Sequence, residues 1–222
     1  MSDRAWEQPS RVLLVEDHHS FRQALTFILN LEPDFTVVAE ADSLATARAV
    51  LEKIDLAIVD LALPDGNGAD LIEDLRRANP GVTALILSAT LDEANIVRAV
   101  DAGGAGVVDK LAGANEIVQE ARRVRAGATM PRQTEVVEML RTIASHGGQN
   151  HEVRPDARLT ARETEVLRAL VEGLDNEGVA EKLDITLEEE QNHLASILEK
   201  LEARSSLQAL VIAARRGVIE FP

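Results

Sequence analysis

From Arg11 to Ala126 short apolar runs alternate with longer amphipathic stretches, the rhythm of strand and helix that builds a parallel sheet covered on both faces. The pattern predicts five strands, at Arg11 to Val15, Thr36 to Ala39, Leu56 to Val59, Thr83 to Leu87 and Ala105 to Val108. All are brief and mostly β-branched or aliphatic, which suits central burial. Between them Phe21, Ala24, Leu25, Ile28 and Leu29 recur at helical spacing, as do Leu44, Ala47, Val50 and Leu51, and Leu71 with Leu75. These are crossover helices. The fold class that follows is α/β, a doubly wound five-stranded parallel sheet, in which ligands bind at the carboxyl ends of strands where the winding reverses.

The pattern changes after Ala126. A helix is predicted from Gln133 to Ser145, with Val136, Val137, Leu140 and Ile143 as its apolar stripe. The stretch 147–156 has almost no apolar content and reads as a flexible linker. From Leu159 to Val218 the chain is helical, with breaks at Gly173-Leu174-Asp175, at Asp184-Ile185-Thr186 and near Arg204-Ser205, so an all-α unit of four helices is expected. Thr160 with Glu163 and Thr186 with Glu189 make capping boxes at two of the helix starts. The expected organisation is an extension at 1–10, a first domain at 11–127, a linker helix and flexible linker at 128–158, and a second domain at 159–222.

Two compact units suit 222 residues. With 45% hydrophobic and only 2% aromatic residues, aliphatic packing must dominate both cores. No apolar run approaches the roughly 18 residues of a membrane span, and the opening MSDRAWEQPS lacks the apolar core of a signal peptide, so a cytoplasmic location is expected. The absence of cysteine removes disulfides and thiolate metal sites. A formal net charge of −15 opposes binding to a polyanion over the whole surface, so any nucleic-acid contact must come from a local basic patch.

Glu16 and Asp17 end the first strand and Asp60 ends the third, which gathers three carboxylates at one sheet edge. Such a group wants a cation, and an all-oxygen site suits magnesium, whereas zinc would prefer nitrogen or sulfur. With charge repulsion lowered, one carboxylate can act as nucleophile toward a phosphoryl group, and Asp60 is that residue. Ser88 ends the fourth strand and Lys110 follows the fifth, placing a hydroxyl and an ammonium where phosphate oxygens would lie. Singly, each is an ordinary strand-end residue; their joint order carries the argument. His18 and His19 invite a metal or phosphorelay role, but adjacent histidines at a helix start point in different directions, and a structural or tuning role is read for them.

The segments VLLVEDHHSFRQAL, AIVDLALPDGNGADLI, LILSAT and GGAGVVDK resemble the successive motifs of response-regulator receivers, over essentially Arg11 to Ala126. The resemblance implies that Glu16, Asp17, Asp60 and the backbone carbonyl of Ala62 hold magnesium, that a sensor histidine kinase phosphorylates Asp60, and that Ser88 and Lys110 sense the phosphoryl group. It departs at Val107, where such receivers usually carry Tyr or Phe; valine either packs the strand end or marks a weakened or rerouted switch. An aspartyl-phosphate phosphatase of the haloacid dehalogenase type would want a second Asp two residues after the nucleophile, where Ala62 stands, so no enzyme is expected.

LTARETEVLRALVEGLDNEGVAEKLDIT and NHLASILEKL resemble the four-helix, helix-turn-helix output domain of the NarL/FixJ subgroup, also called LuxR-type. The third of these helices is the DNA-recognition helix in that family. Its DNA-facing candidates here are Glu188, Glu189, Glu190, Gln191, Asn192 and Lys200, with Glu189-Glu190-Gln191 where the family typically shows Thr-Val-Lys. Carboxylates repel phosphates and release no counterions. From Leu159 to Pro222, 7 Lys and Arg stand against 13 Asp and Glu. Acid in a first helical turn complements the helix dipole, which explains one or two glutamates but not the loss of every base. The expected function is therefore a two-component response regulator, phosphorylated on Asp60 and controlling transcription as a homodimer, with DNA contacts from residues such as Lys200, Arg204, Arg215 and Arg216. The alternative keeps the folds but makes the second domain a protein-interaction or dimerisation platform without direct DNA affinity.

Overall fold

The computed structural model describes residues 8–90, 92–128, 138, 140–143 and 159–220. The first domain runs β1 (Ser10–Val15), α1 (His19–Leu31), β2 (Phe35–Ala41), α2 (Leu44–Arg48), β3 (Leu56–Asp60), β4 (Ala62–Leu63), β5 (Gly66–Asn67), α3 (Ala69–Ala78), β6 (Thr83–Ser88), α4 (Glu93–Ala102), β7 (Gly106–Asp109) and α5 (Ala114–Arg125). Strands β2, β1, β3, β6 and β7 lie side by side in that order, all parallel, which is the doubly wound sheet expected. The winding reverses between β1 and β3.

Alternation along β1 shows how the sheet is covered. Val12 and Leu14 face α1 and α5 with Leu25, Leu29, Ile117 and Val118, while Leu13 and Val15 face α2 and α3 with Leu44, Ala47, Leu71 and Leu75. Each leucine is fully buried, worth about 2 kcal/mol of transfer free energy. Two local differences from the sequence reading have local causes. Helix α2 stops at Arg48, short of Val50 and Leu51, as the chain turns back toward β3 through Lys53 in a left-handed conformation (φ 60°). After Asp60 the Pro64-Asp65 turn is flanked by a two-residue antiparallel ladder, β4 with β5, too short to show any alternation in sequence.

The second domain holds α6 (Ala161–Val171), α7 (Asn176–Leu183), α8 (Leu187–Leu201) and α9 (Ser206–Arg215). Both capping boxes form: Thr160 and Thr186 accept from the amides of Glu163 and Glu189, whose carboxylates return to the cap amides. Asp184 in the left-handed region turns α7 into α8. The core is aliphatic, with Val166, Leu167, Leu170, Val179, Ile197, Leu201 and Leu210 buried together.

Helix α9 also touches the first domain. Leu207 and Val211 join Ile96, Ala99 and Val100 of α4 and Val107 of β7 in one cluster, with Leu140 and Ile143. Ser205 Oγ donates to Gly104 O (2.8 Å) and Gln208 Nε2 to Asp101 O (3.2 Å). Of the linker helix expected at Gln133 to Ser145, residues 140–143 are helical with Leu140 and Ile143 buried. The remainder apart from Glu138, and the linker at 147–156, lie outside the described residues.

Candidate functional site

The ends of β1 and β3 bring Glu16, Asp17 and Asp60 together, with ligand-type atoms of these three and His18 all within 4.8 Å of one another. Gly68 makes room for the acceptor strand: a β-carbon there would lie 1.9 Å from the Asp60 carbonyl oxygen. Lys110, just past β7, lies 2.7 Å from Glu16 Oε2 and 2.6 Å from Asp60 Oδ2. Asp60 Oδ1 accepts the Ala62 amide at 3.1 Å. Burial pushes the Asp60 carboxyl above its usual range, and the Lys110 ammonium and the Ala62 amide oppose that rise. Ser88 is buried at the end of β6 and donates to the Thr90 carbonyl.

The donor set fits a hard divalent cation. Among the described residues no group donates a well-directed hydrogen bond to the buried oxygens Glu16 Oε2, Asp17 Oδ1 and Asp60 Oδ2. Lys110 approaches the first and third, and His18 Nδ1 the second at 2.8 Å. Three carboxylates against one ammonium and a largely exposed imidazole leave an uncompensated negative charge that oxygen-preferring ions neutralise. His18 therefore reaches the acidic edge, also 3.1 Å from Glu16 Oε1, whereas His19 turns to Arg22.

Arg22 was not singled out in the sequence. It donates to the main-chain carbonyls of Glu16 and Asp17 and pairs with Glu40 at 3.5 Å, so it fixes the loop that carries two of the carboxylates. Its position three residues after His19, on the first turn of α1, was the signal available. Val107 is fully buried against Ile86 and Val100 and, beyond the first domain, near Leu207 and Val211.

On α8 the structure corrects two of the expected DNA-facing residues. Glu188, Glu189, Gln191 and Asn192 are exposed, but Glu190 is fully buried and both its carboxylate oxygens lack hydrogen-bond partners among the described residues. The reason is helical spacing: Glu190, Leu194, Ile197 and Leu201 fall on one stripe, the stripe that faces the core. That spacing was legible in the sequence beneath the run of three acids. Burial pushes the Glu190 carboxyl up to about 7. Lys200 is likewise withdrawn, its ammonium bound by Glu163 at 2.6 and 2.8 Å. Glu163 also accepts from Ser196 and from the Thr160 amide, and these bonds to Lys200, Thr160 and Ser196 outweigh a burial that acts the other way, holding it at about 2.

Comparison with known proteins agrees with this geometry. Residues 12–122 match the response regulator receiver domain, and residues 157–213 match the bacterial regulatory proteins of the luxR family. The DNA-binding transcriptional activator DevR/DosR of Mycobacterium tuberculosis is 31% identical over 91% of this chain and 93% of its own. The transcriptional regulatory protein DegU of Brevibacillus brevis is 27% identical over 99% of each. RcsB of Salmonella enterica serovar Typhimurium, solved bound to a promoter, shares the fold with a TM-score of 0.55 at 22% identity, covering 93% of this chain and 98% of that one. Among the described residues no helix is long and apolar enough to cross a membrane. A receiver sheet with its acidic edge, joined to a four-helix unit of the luxR type, places this chain in the two-component response regulators that regulate transcription, a family of regulators rather than of enzymes.

Proposed function

We propose that a sensor histidine kinase phosphorylates this regulator on Asp60, and that the cytoplasmic protein acts on transcription as a homodimer whose output helix meets DNA weakly unaided. The observation that carries the first part is the convergence of Glu16, Asp17 and Asp60 at the switch point of the sheet, with Lys110 within ion-pair distance of Glu16 and Asp60. Glu16, Asp17, Asp60 and the Ala62 carbonyl would hold Mg2+, which supplies charge neutralisation between Asp60 and an incoming phosphoryl group. The Asp60 carboxylate oxygen attacks phosphorus as the phosphorus–nitrogen bond of the kinase phosphohistidine breaks. Lys110, beside Asp60, would pair with the new phosphoryl oxygens, and Ser88 would turn from Thr90 toward them. The test is acetyl-phosphate or kinase labelling with magnesium present. The wild type gains one phosphate labile to alkali and to hydroxylamine, as an acyl phosphate is, and Asp60→Asn gains none; labelling of that kind that persists in Asp60→Asn overturns the assignment.

One observation favours the second reading, a protein-interaction regulator without direct DNA affinity. The exposed first turns of α8 present Glu188 and Glu189 where phosphates would lie, and the helix's own lysine is bound to Glu163. A dimer doubles whatever phosphate contacts Arg204, Arg215 and Arg216 make, and so favours the DNA reading. Fluorescence anisotropy of the phosphorylated full chain on its own promoter decides between them. Binding that outcompetes a hundredfold excess of unrelated DNA (about 2.7 kcal/mol of preference) supports a transcription factor; no such preference supports the interaction platform.

A further inference from the structure

Where α9 docks on α4, two arginines from different domains face each other. Ser205 and Gln208 bond the carbonyls of Gly104 and Asp101, and that seating carries the preceding Arg204 to the end of α4. Arg76, in the last turn of α3, reaches the same point. A β-carbon built on Gly103, the left-handed cap of α4 (φ 104°), would lie 3.0 Å from Arg204 Cβ and 3.4 Å from Arg76 Nη1. Gly103 is what lets both side chains pass this close.

The chain carries 38 Asp and Glu against 23 Lys and Arg, yet no acid among the described residues answers this pair. Among the described residues neither guanidinium forms an ion pair or a side-chain hydrogen bond. Glu73, which lines the same cleft, is held by Arg77 at 3.3 Å, and Asp74 by Arg77 and Arg48, each at 2.9 Å. The carbonyl end of α4 offsets part of the positive charge, but Ala99 and Val100 already accept from Gly103, and Asp101 accepts from Gln208. Arg76 is half-buried, and burial and the neighbouring Arg204 both act against its charged form. A guanidinium cannot relieve that repulsion by losing its proton in a protein.

We infer that the cleft between α3, α4 and the α8–α9 turn, about 240 Å³ and lined by Glu73, Arg76, Arg77, Ala102 and Arg204, is a binding site for a small phosphorylated anion that bridges the two domains. Paired guanidiniums match the geometry of phosphoryl oxygens, and the volume admits a phosphate or pyrophosphate group. Because one arginine comes from each domain, the occupant favours the docked arrangement of α9 on α4. It thereby couples the concentration of that anion to the availability of the output domain.

The experiment is isothermal titration and thermal unfolding of the full chain, without magnesium and at constant ionic strength. The probes are pyrophosphate, inorganic phosphate and ADP. The wild type binds at least one probe, with a rise of a few degrees in unfolding temperature. Arg76→Gln and Arg204→Gln, in different domains, each weaken that binding by about tenfold or more. Arg98→Gln, on α4 but paired with Asp70 away from the cleft, removes the same charge and leaves binding unchanged. Without anion, Arg76→Gln and Arg204→Gln match or exceed the wild type in stability, since each removes one of two repelling charges. Tighter binding of ADP than of either inorganic anion identifies a phosphorylated metabolite as occupant; equal or weaker binding identifies the free anion. The inference is overturned if no probe binds the wild type at about 10 mM, or if both cleft variants bind as the wild type does.

Discussion

The acidic edge of the receiver and the start of the output helix use the same functional group to opposite ends. At the receiver edge, Glu16 and Asp60 are as deeply buried as Glu190, yet each has Lys110 within 2.7 Å, and with Asp17 they bring together oxygens that could hold a metal ion. On α8, Glu190 has neither counter-charge nor hydrogen bond among the described residues, and burial alone governs its proton. In the same domain, on α6, Glu163 is also buried, but Lys200, Ser196 and Thr160 surround it. The lesson is that burial alone does not say what a carboxylate does; its partners decide whether it builds a site, ties helices together or strains the fold.

The comparison breaks most visibly if Lys110 is removed. Lys110→Met leaves Glu16 and Asp60 buried without their cation, which should cost the receiver about 3–5 kcal/mol in chelator. Millimolar magnesium should recover most of that loss if the carboxylates are a cation site. A magnesium-independent loss in denaturant titrations would show them to be a structural cluster only.

Next in size is Glu190→Val. A folded pKa of about 7, against 4.5 for the free side chain, means the folded domain holds a proton that the unfolded chain releases between those values. Stability therefore falls as pH rises from about 4.5 through 7, by about 3 kcal/mol in total. Glu163 works in the opposite sense: held at about 2, its contribution is complete above 4.5 and is lost as pH falls toward 2. From these two groups the output domain is most stable near pH 4.5. Glu190→Val should stabilise it by about 3 kcal/mol at pH 8 and much less at pH 5, read from the pH dependence of its unfolding transition. An equal gain at both pH values would mean that Glu190 is not buried in its charged form.

The smallest effect sharpens the contrast at the surface. Glu189→Thr with Gln191→Lys alters only exposed positions of α8 and changes its charge by two units. Nonspecific DNA affinity of the full chain should rise about tenfold at roughly 0.1 M salt, with a steeper salt dependence. Helix content should hardly move, because Thr186 keeps its bond to the residue 189 amide. An unchanged affinity would mean that α8 does not face DNA.

Much of this was legible along the chain. The five strands appeared as apolar runs, and both capping boxes as Thr-x-x-Glu, because these features are local in sequence and in space. The set Glu16, Asp17, Asp60, Ser88 and Lys110 could be named because a parallel sheet carries every strand's carboxyl end to one edge. The hairpin around Pro64-Asp65 escaped, since two-residue strands have no period. Glu190 escaped for another reason. Its acid neighbours suggested one exposed run, while the three- and four-residue spacing to Leu194 and Ile197 already put it on the buried stripe.

The sequence by itself determined the two fold types, the order of elements, the acidic edge and the anomalous charge of the output helix. Hydrophobic period, capping and strand-end chemistry are all written in neighbouring residues. Only the tertiary structure decided that Lys200 belongs to Glu163, that Val107 shares a buried cluster with Leu207 and Val211, and that Arg76 meets Arg204. Those pairings join residues 37, about 100 and 128 positions apart. Nothing in local propensity selects among the many partners available at such separations; the packing of α9 against α4 does.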